Sequence, residues 1–174
     1  VYCVLSGYGS AGPEADRPGF GQSAYWAGAG IMGLCSDPPT LPALGIDDYA
    51  VALNLFGAAM AGLRQRDCSG VGQYVEVSLQ GTGIWTNALP VAVGLLTDQQ
   101  PSVHRREQPV SALHNTYRTQ DGRWILLVAF GEAFWEPMCR ALGHTEWLQD
   151  SRFATPDARR ANAKLLTTMV EERF

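Results

Sequence analysis

The chain has 174 residues, a formal net charge of −4 and 46 % hydrophobic residues, enough to bury one sizeable core or parts of two. Charges of both signs are mixed throughout, so no basic patch marks a nucleic-acid binder, and no apolar run has the length of a membrane span. Four cysteines, Cys3, Cys35, Cys68 and Cys139, stand far apart with no C-x-x-C spacing; this argues against a zinc site or a disulfide framework, fits the reducing cytoplasm, and no signal peptide is visible.

Residues 1–5 (VYCVL) read as a strand. They lead into SGYGSAGPEADRPGFG, where Gly7-Tyr8-Gly9-Ser10-Ala11-Gly12 spells G-x-G-x-x-G. A dinucleotide site needs those glycines to open a helix whose N–H groups hold the pyrophosphate. Pro13 fits a first helical position, but Pro18 would break the helix it begins. A Gly- and Pro-rich loop over residues 6–21 is therefore expected, with no NAD or FAD. Residues 22–34 read as a buried helix weakened by glycines, and residues 36–45, with three prolines, as a loop.

The strongest helix signal covers residues 47–66. Asp47 and Asp48 open it and Arg64 and Arg66 close it, both signs matching the helix dipole. Its middle is apolar almost all round, which predicts that most of it is buried. Ser69-Gly70-Val71-Gly72 reads as a tight turn rather than a phosphate cradle, because a strand follows it. That strand, residues 73–79, alternates Tyr74, Glu76 and Ser78 with Val75, Val77 and Leu79. Residues 81–96 predict an apolar helix interrupted at Pro90.

Residues 97–113 are polar and aperiodic and read as a crossing between two parts of the fold. A hairpin follows, with strands over 115–119 and 123–129 about the turn Gln120-Asp121-Gly122. Residues 132–142 predict a helix ended by Gly143, and residues 157–174 a second helix with one polar face. The chain begins inside a strand-like run and ends inside an amphipathic one, so part of a longer α/β protein is expected.

Few side chains offer chemistry. Asp47 and Asp48 read first as helix-capping carboxylates. The sharper reading is a carboxylate nucleophile kept ionised by the helix N-terminus, which would need a reactive substrate such as a thioester. His104, His114 and His144 have no Cys, Asp or Glu at ligand spacing and read as solvated or capping. Ser6, Ser69 and Ser78 lack the G-x-S-x-G context of a hydrolase. The five tryptophans read as core.

The order of several segments resembles the family III CoA-transferases. They are SGYGSAGPEADRPGF (6–20), DDYAVAL (47–53), RDCSGVGQYVEVSL (66–79), YRTQDGRWILL (117–127), the FW of EAFW (134–135) and DSRFATPDARRAN (150–162). The resemblance runs nearly end to end and implies an α/β fold built from the end of a large CoA-binding domain, residues 1–97, and a linker with most of a small domain, residues 98–174. It implies a full subunit about twice this length, working in the cytoplasm as an interlocked homodimer, with the isolated chain inactive. The implied activity moves CoA from an acyl-CoA to a carboxylic acid through an aspartyl anhydride and an aspartyl-CoA thioester. Coenzyme A enters as substrate, and no metal, nucleic acid or membrane takes part.

Counting back from Ser69-Gly70-Val71-Gly72-Gln73 at the spacing of transferase-type members, the family's nucleophile falls on Asp48. The racemase-type spacing gives Asp47 as runner-up. Tyr8 aligns with a tyrosine near bound CoA, while Ser6 stands where a transferase has a lysine. Racemase-type members carry His-Asp where this chain has Phe20-Gly21, and their glutamate falls on Gly131 beside Glu132. Residues 105–115 match a mobile glycine-rich loop but hold no glycine run. Transfer is therefore expected over racemisation or isomerisation, with a non-catalytic relative as the third reading.

Overall fold

The computed structural model describes residues 1–36, 38–101, 103–129 and 131–174; Asp37, in the 36–45 loop, and Ser102, in the predicted crossing, lie outside the described residues. The chain forms two compact units, Val1–Val103 and His104–Phe174.

The first unit contains β1 (Tyr2–Ser6), α1 (Ile31–Cys35), α2 (Ile46–Ser69), β2 (Tyr74–Ser78), α3 (Leu79–Thr86) and α4 (Ala88–Thr97), with a π-helical turn over Gly21–Ala27. β1 and β2 pair in parallel, from Tyr2 opposite Tyr74 to Ser6 opposite Ser78. A parallel pair needs a long crossover, and α2 lies within it. Ala24, Tyr25, Val51 and Leu79 form the core, with Tyr8, Trp26, Ile31, Ala50 and Val77 packed around them.

Three expectations change here. The predicted 22–34 helix is two pieces, the π-helical turn and α1, separated where Gly30 takes φ of 76°. The 81–96 helix breaks at Asn87, ahead of Pro90, which sits in the first turn of α4, where a missing N–H costs no helical bond. α2 is not mostly buried. Ile46, Tyr49, Leu53, Phe56 and Met60 are exposed, a stripe at alternating spacings of three and four residues. The other face takes the packing of β2, α3 and the π-helical turn, and the described residues of this unit offer no second layer. The helix runs three residues past the expected end at Arg66, to Ser69, and closes where Gly70 at φ of 73° donates its N–H to Arg66 O at 2.7 Å.

The second unit contains β3 (His114–Arg118) and β4 (Trp124–Val128), an antiparallel hairpin pairing His114 with Val128 and Arg118 with Trp124. A 3₁₀ turn, Glu132–Phe134, leads into α5 (Trp135–Ala141); another, Thr145–Leu148, precedes α6 (Pro156–Ala161) and α7 (Ala163–Glu171). The predicted last helix is thus divided at Asn162, and α6 is capped by Thr155, whose hydroxyl accepts the Ala158 N–H at 3.1 Å. The core joins Tyr117, Trp135, Met138, Cys139, Trp147, Phe153, Leu166 and Val170. Trp135 and Trp147 are core residues as read, whereas Trp85 and Trp124 are exposed.

Burial pushes the Cys139 thiol up to about 11, because a thiolate is penalised away from water. Cys3, Cys35 and Cys68 are exposed. Thiol titration of the native chain near pH 8 is expected to modify these three quickly, with Cys139 reacting only on unfolding. Fast reaction of Cys139 would contradict its burial. Among the described residues no helix is long and apolar enough to cross a membrane, and no group of three or more His, Cys, Asp or Glu side chains comes together as a metal site.

Candidate active site

The 6–21 segment is a closed loop rather than a helix. Gly7 and Gly19 meet at its neck, where a Cβ on Gly7 would come within 2.5 Å of Gly19 Cα; any side chain there would force the neck open. Ser6 and Ser10 donate to the two Glu76 carboxylate oxygens at 3.1 and 2.6 Å, tying the loop to β2. The Ser6 hydroxyl also accepts the Gly9 N–H at 3.0 Å. Tyr8 is half-buried on the core, and the Arg17 guanidinium lies 5.5 Å from its ring centroid, within range of a cation–π contact. Phe20 stands exposed at 70 % at the end of the loop.

The next residue meets α2. Gly45, at φ of 87°, caps that helix without a side-chain bond. Asp47 and Asp48 occupy its first turn, where unbonded N–H groups favour negative charge. Adjacent helical residues point about 100° apart, and the two aspartates diverge. Asp48 is exposed. Asp47 is 2 % exposed, its Oδ1 has no hydrogen-bond partner among the described residues, and its carboxylate fills the space that a side chain at position 21 would need. Tyr8 and the first turns of α2 thus share one apolar cluster, and among the described residues no hydrogen bond joins Tyr8 to either aspartate.

The second unit carries chemistry of its own. A cavity of about 520 Å³ is lined by His104, His114, Glu132, Arg159 and Arg160 over an apolar floor that includes Leu113 and Leu166. Arg159 is buried; it donates to the Glu132 carboxylate and to Phe153 O at 2.7 Å, and its guanidinium lies 4.6 Å from the Trp135 ring centroid. The His104 and His114 rings lie 6.3 Å apart. The wall at residues 104–113 is pinned. Arg106 pairs with Glu171 at 2.5 Å, Asn115 Nδ2 donates to Arg106 O at 3.0 Å, and the Tyr117 hydroxyl donates to Ala112 O at 2.6 Å. Burial raises the Tyr117 phenol above its usual value, which keeps it a donor.

His104 and His114 are exposed and His144 is half-buried at the N-cap of the Thr145–Leu148 turn, in line with the solvated or capping reading, and they also contact neighbours. His104 is bonded to Asn115, and His144 stacks on Trp147 at 4.4 Å and pairs with Glu146. No spacing rule points to His104, Glu132 and Arg159 together, since they lie far apart in sequence and come together only through the fold.

The profile of CoA-transferase family III matches residues 1–174. The chain belongs to that family. It is 30 % identical to the (R)-2-hydroxy-4-methylpentanoate CoA-transferase of Clostridioides difficile, over 99 % of this chain and 44 % of that protein. It is 33 % identical to the succinyl-CoA–D-citramalate CoA-transferase of Chloroflexus aurantiacus, over 89 % of this chain and 39 % of that one. Among solved structures, the hypothetical protein Rv3272 of Mycobacterium tuberculosis superposes with a TM-score of 0.81 at 27 % identity, over 99 % of this chain and 46 % of that chain. A CAIB/BAIF family protein of Brucella suis gives 0.79 at 28 %, again over 99 % of this chain and 46 % of the other. The chain thus has the α/β fold of a family III segment and spans less than half the length of these relatives.

Proposed function

We propose that the protein containing this chain is a CoA-transferase that moves CoA from an acyl-CoA to a carboxylic acid, with Asp48 as nucleophile. The observation that supports Asp48 is its exposure in the first turn of α2 beside a buried Asp47. A nucleophile must reach its substrate, and the helix end keeps the carboxylate ionised. Asp47, the runner-up, offers no surface to an incoming thioester.

The chemistry balances without a net proton. An Asp48 oxygen attacks the thioester carbonyl, the C–S bond breaks, and CoA leaves as a thiolate from a mixed anhydride. The thiolate attacks the aspartyl carbonyl and expels the donor carboxylate, leaving an aspartyl-CoA thioester. An acceptor carboxylate attacks that thioester, and the returning thiolate takes the acyl group and frees Asp48. Each step is a separate, smaller barrier, and each oxyanion needs hydrogen-bond donors. Tyr8, on the same apolar cluster as the start of α2, is proposed to contact the CoA. Phe20 favours transfer over racemisation, because an aromatic ring carries no proton to the α-carbon.

The same reading assigns residues 1–97 to the end of a large CoA-binding domain and residues 98–174 to a linker and small domain, in a cytoplasmic homodimer. The acids named for the two relatives above, a branched hydroxy acid and citramalate, support an acceptor among small carboxylic acids. Hydroxylamine added to the full-length protein during turnover should leave a hydroxamate on Asp48, located by peptide mass spectrometry. No adduct, or one on Asp47 alone, would sink the assignment.

A further inference from the structure

Glu76 lies half-buried on β2, opposite Val4 of β1, and gives both carboxylate oxygens to one loop. The two serines that donate to it flank Tyr8, two residues before and two after. An ionised carboxylate accepts and never donates, so each serine spends its one O–H on Glu76. The lone pairs of Ser6 are then left for the Gly9 N–H, at 3.0 Å. That bond closes a tight turn with Tyr8 inside it, and Gly9 leaves the turn at φ of 98°.

The rest of the loop seats the ring. The Gln80 N–H donates to Gly7 O at 3.0 Å. The Gly7–Gly19 neck returns the chain so that Arg17, paired with Glu14 at 2.6 Å, covers one face of Tyr8. All of these contacts are made within the protein, so a ligand that touches Tyr8 need not order the loop first. Were the loop in this form only part of the time, apparent affinity would fall by that fraction. The Glu76 tie acts on the fraction, not on the ligand contacts themselves.

We propose that Glu76 is a positioning residue for coenzyme A: through Ser6 and Ser10 it holds the turn that presents Tyr8. The coenzyme A part rests on the transferase reading; the tie rests on the hydrogen bonds alone. The test is calorimetric titration of the full-length protein with coenzyme A, beside hydrogen exchange of the peptide that contains Gly9. Glu76→Ala should bind coenzyme A about tenfold more weakly, as when the tied loop drops to a tenth of the population, and its Gly9 amide should exchange about tenfold faster. Ser10→Ala removes one tie at an exposed position, where the fold is not at stake, and should weaken binding about two- to threefold. Glu76→Gln keeps one acceptor oxygen and should recover part of the loss.

In a Tyr8→Ala background, Glu76→Ala should cost little further affinity, because the turn then presents no ring; a role in folding alone would add the same cost in both backgrounds. Unchanged coenzyme A affinity in both Glu76→Ala and Ser10→Ala, or equal costs of Glu76→Ala with and without Tyr8, would overturn the proposal. Wild-type affinity in Tyr8→Ala would remove the Tyr8 contact and the proposal with it. Failure of the transferase reading is seen separately, as no aspartyl adduct with acyl-CoA, and leaves the Gly9 exchange to report on the tie.

Discussion

Asp48→Asn in the full-length protein is expected to lower CoA transfer about 10⁴-fold or more while leaving acyl-CoA binding nearly unchanged, because removal of a nucleophile falls on the chemical steps rather than on affinity. An amide keeps the size of the carboxylate and much of its capacity to accept hydrogen bonds, so the fold should be preserved. What it loses is the anionic oxygen that forms the anhydride. Asp47→Asn is the matched control. That side chain is sealed from solvent, so its change should be felt in stability, and the hydroxylamine adduct should still form on Asp48. Full activity of Asp48→Asn, or transfer of the adduct to Asp47 in the wild type, would reverse the assignment.

Gly21→Ala should destabilise the protein by about 1–3 kcal/mol, the usual cost of forcing a group into filled space. The space is filled by the Asp47 carboxylate, which a Cβ at position 21 would displace. Because the obstacle is one side chain, the cost is conditional. In an Asp47→Ala background the same Gly21→Ala change should be nearly neutral, a coupling of neighbours that a double-mutant cycle measured by thermal unfolding would register. Equal costs in both backgrounds would show that Gly21 is needed for another reason. The single variant should also slow transfer, since a displaced Asp47 disturbs the turn that presents Asp48.

The sequence was most readable where local chemistry is decisive. Paired aspartates and terminal arginines bounded α2 to within a few residues of Ile46–Ser69, and the alternation from Tyr74 to Leu79 marked β2. The hairpin about Gln120-Asp121-Gly122 was found within one residue at either strand. The misses are tertiary. Pro90 drew attention as a breaker, yet proline is harmless in a first turn, and the break at Asn87 has no comparable mark. The exposed stripe on α2 looks like core in sequence because hydrophobicity records what a residue avoids, not what covers it. Nothing local distinguishes Asp47 from Asp48 either; their fates divide on Gly21, far upstream. The cavity residues His104, Glu132 and Arg159 share no pattern, because loop, turn and helix meet there only after folding.

The pairing of β1 with β2 also bears on how the chain acquires its structure. Tyr2 cannot meet Tyr74 until roughly seventy residues have been gathered, whereas β3 and β4 close over a turn of about five; the difference in closure entropy is about 2 kcal/mol. The hairpin has a local route, and the parallel ladder must wait for α2 to form and dock. Until then β1 presents unpaired backbone and α2 its apolar stripe, so the slow half of the chain is also the half most exposed to misassociation during synthesis.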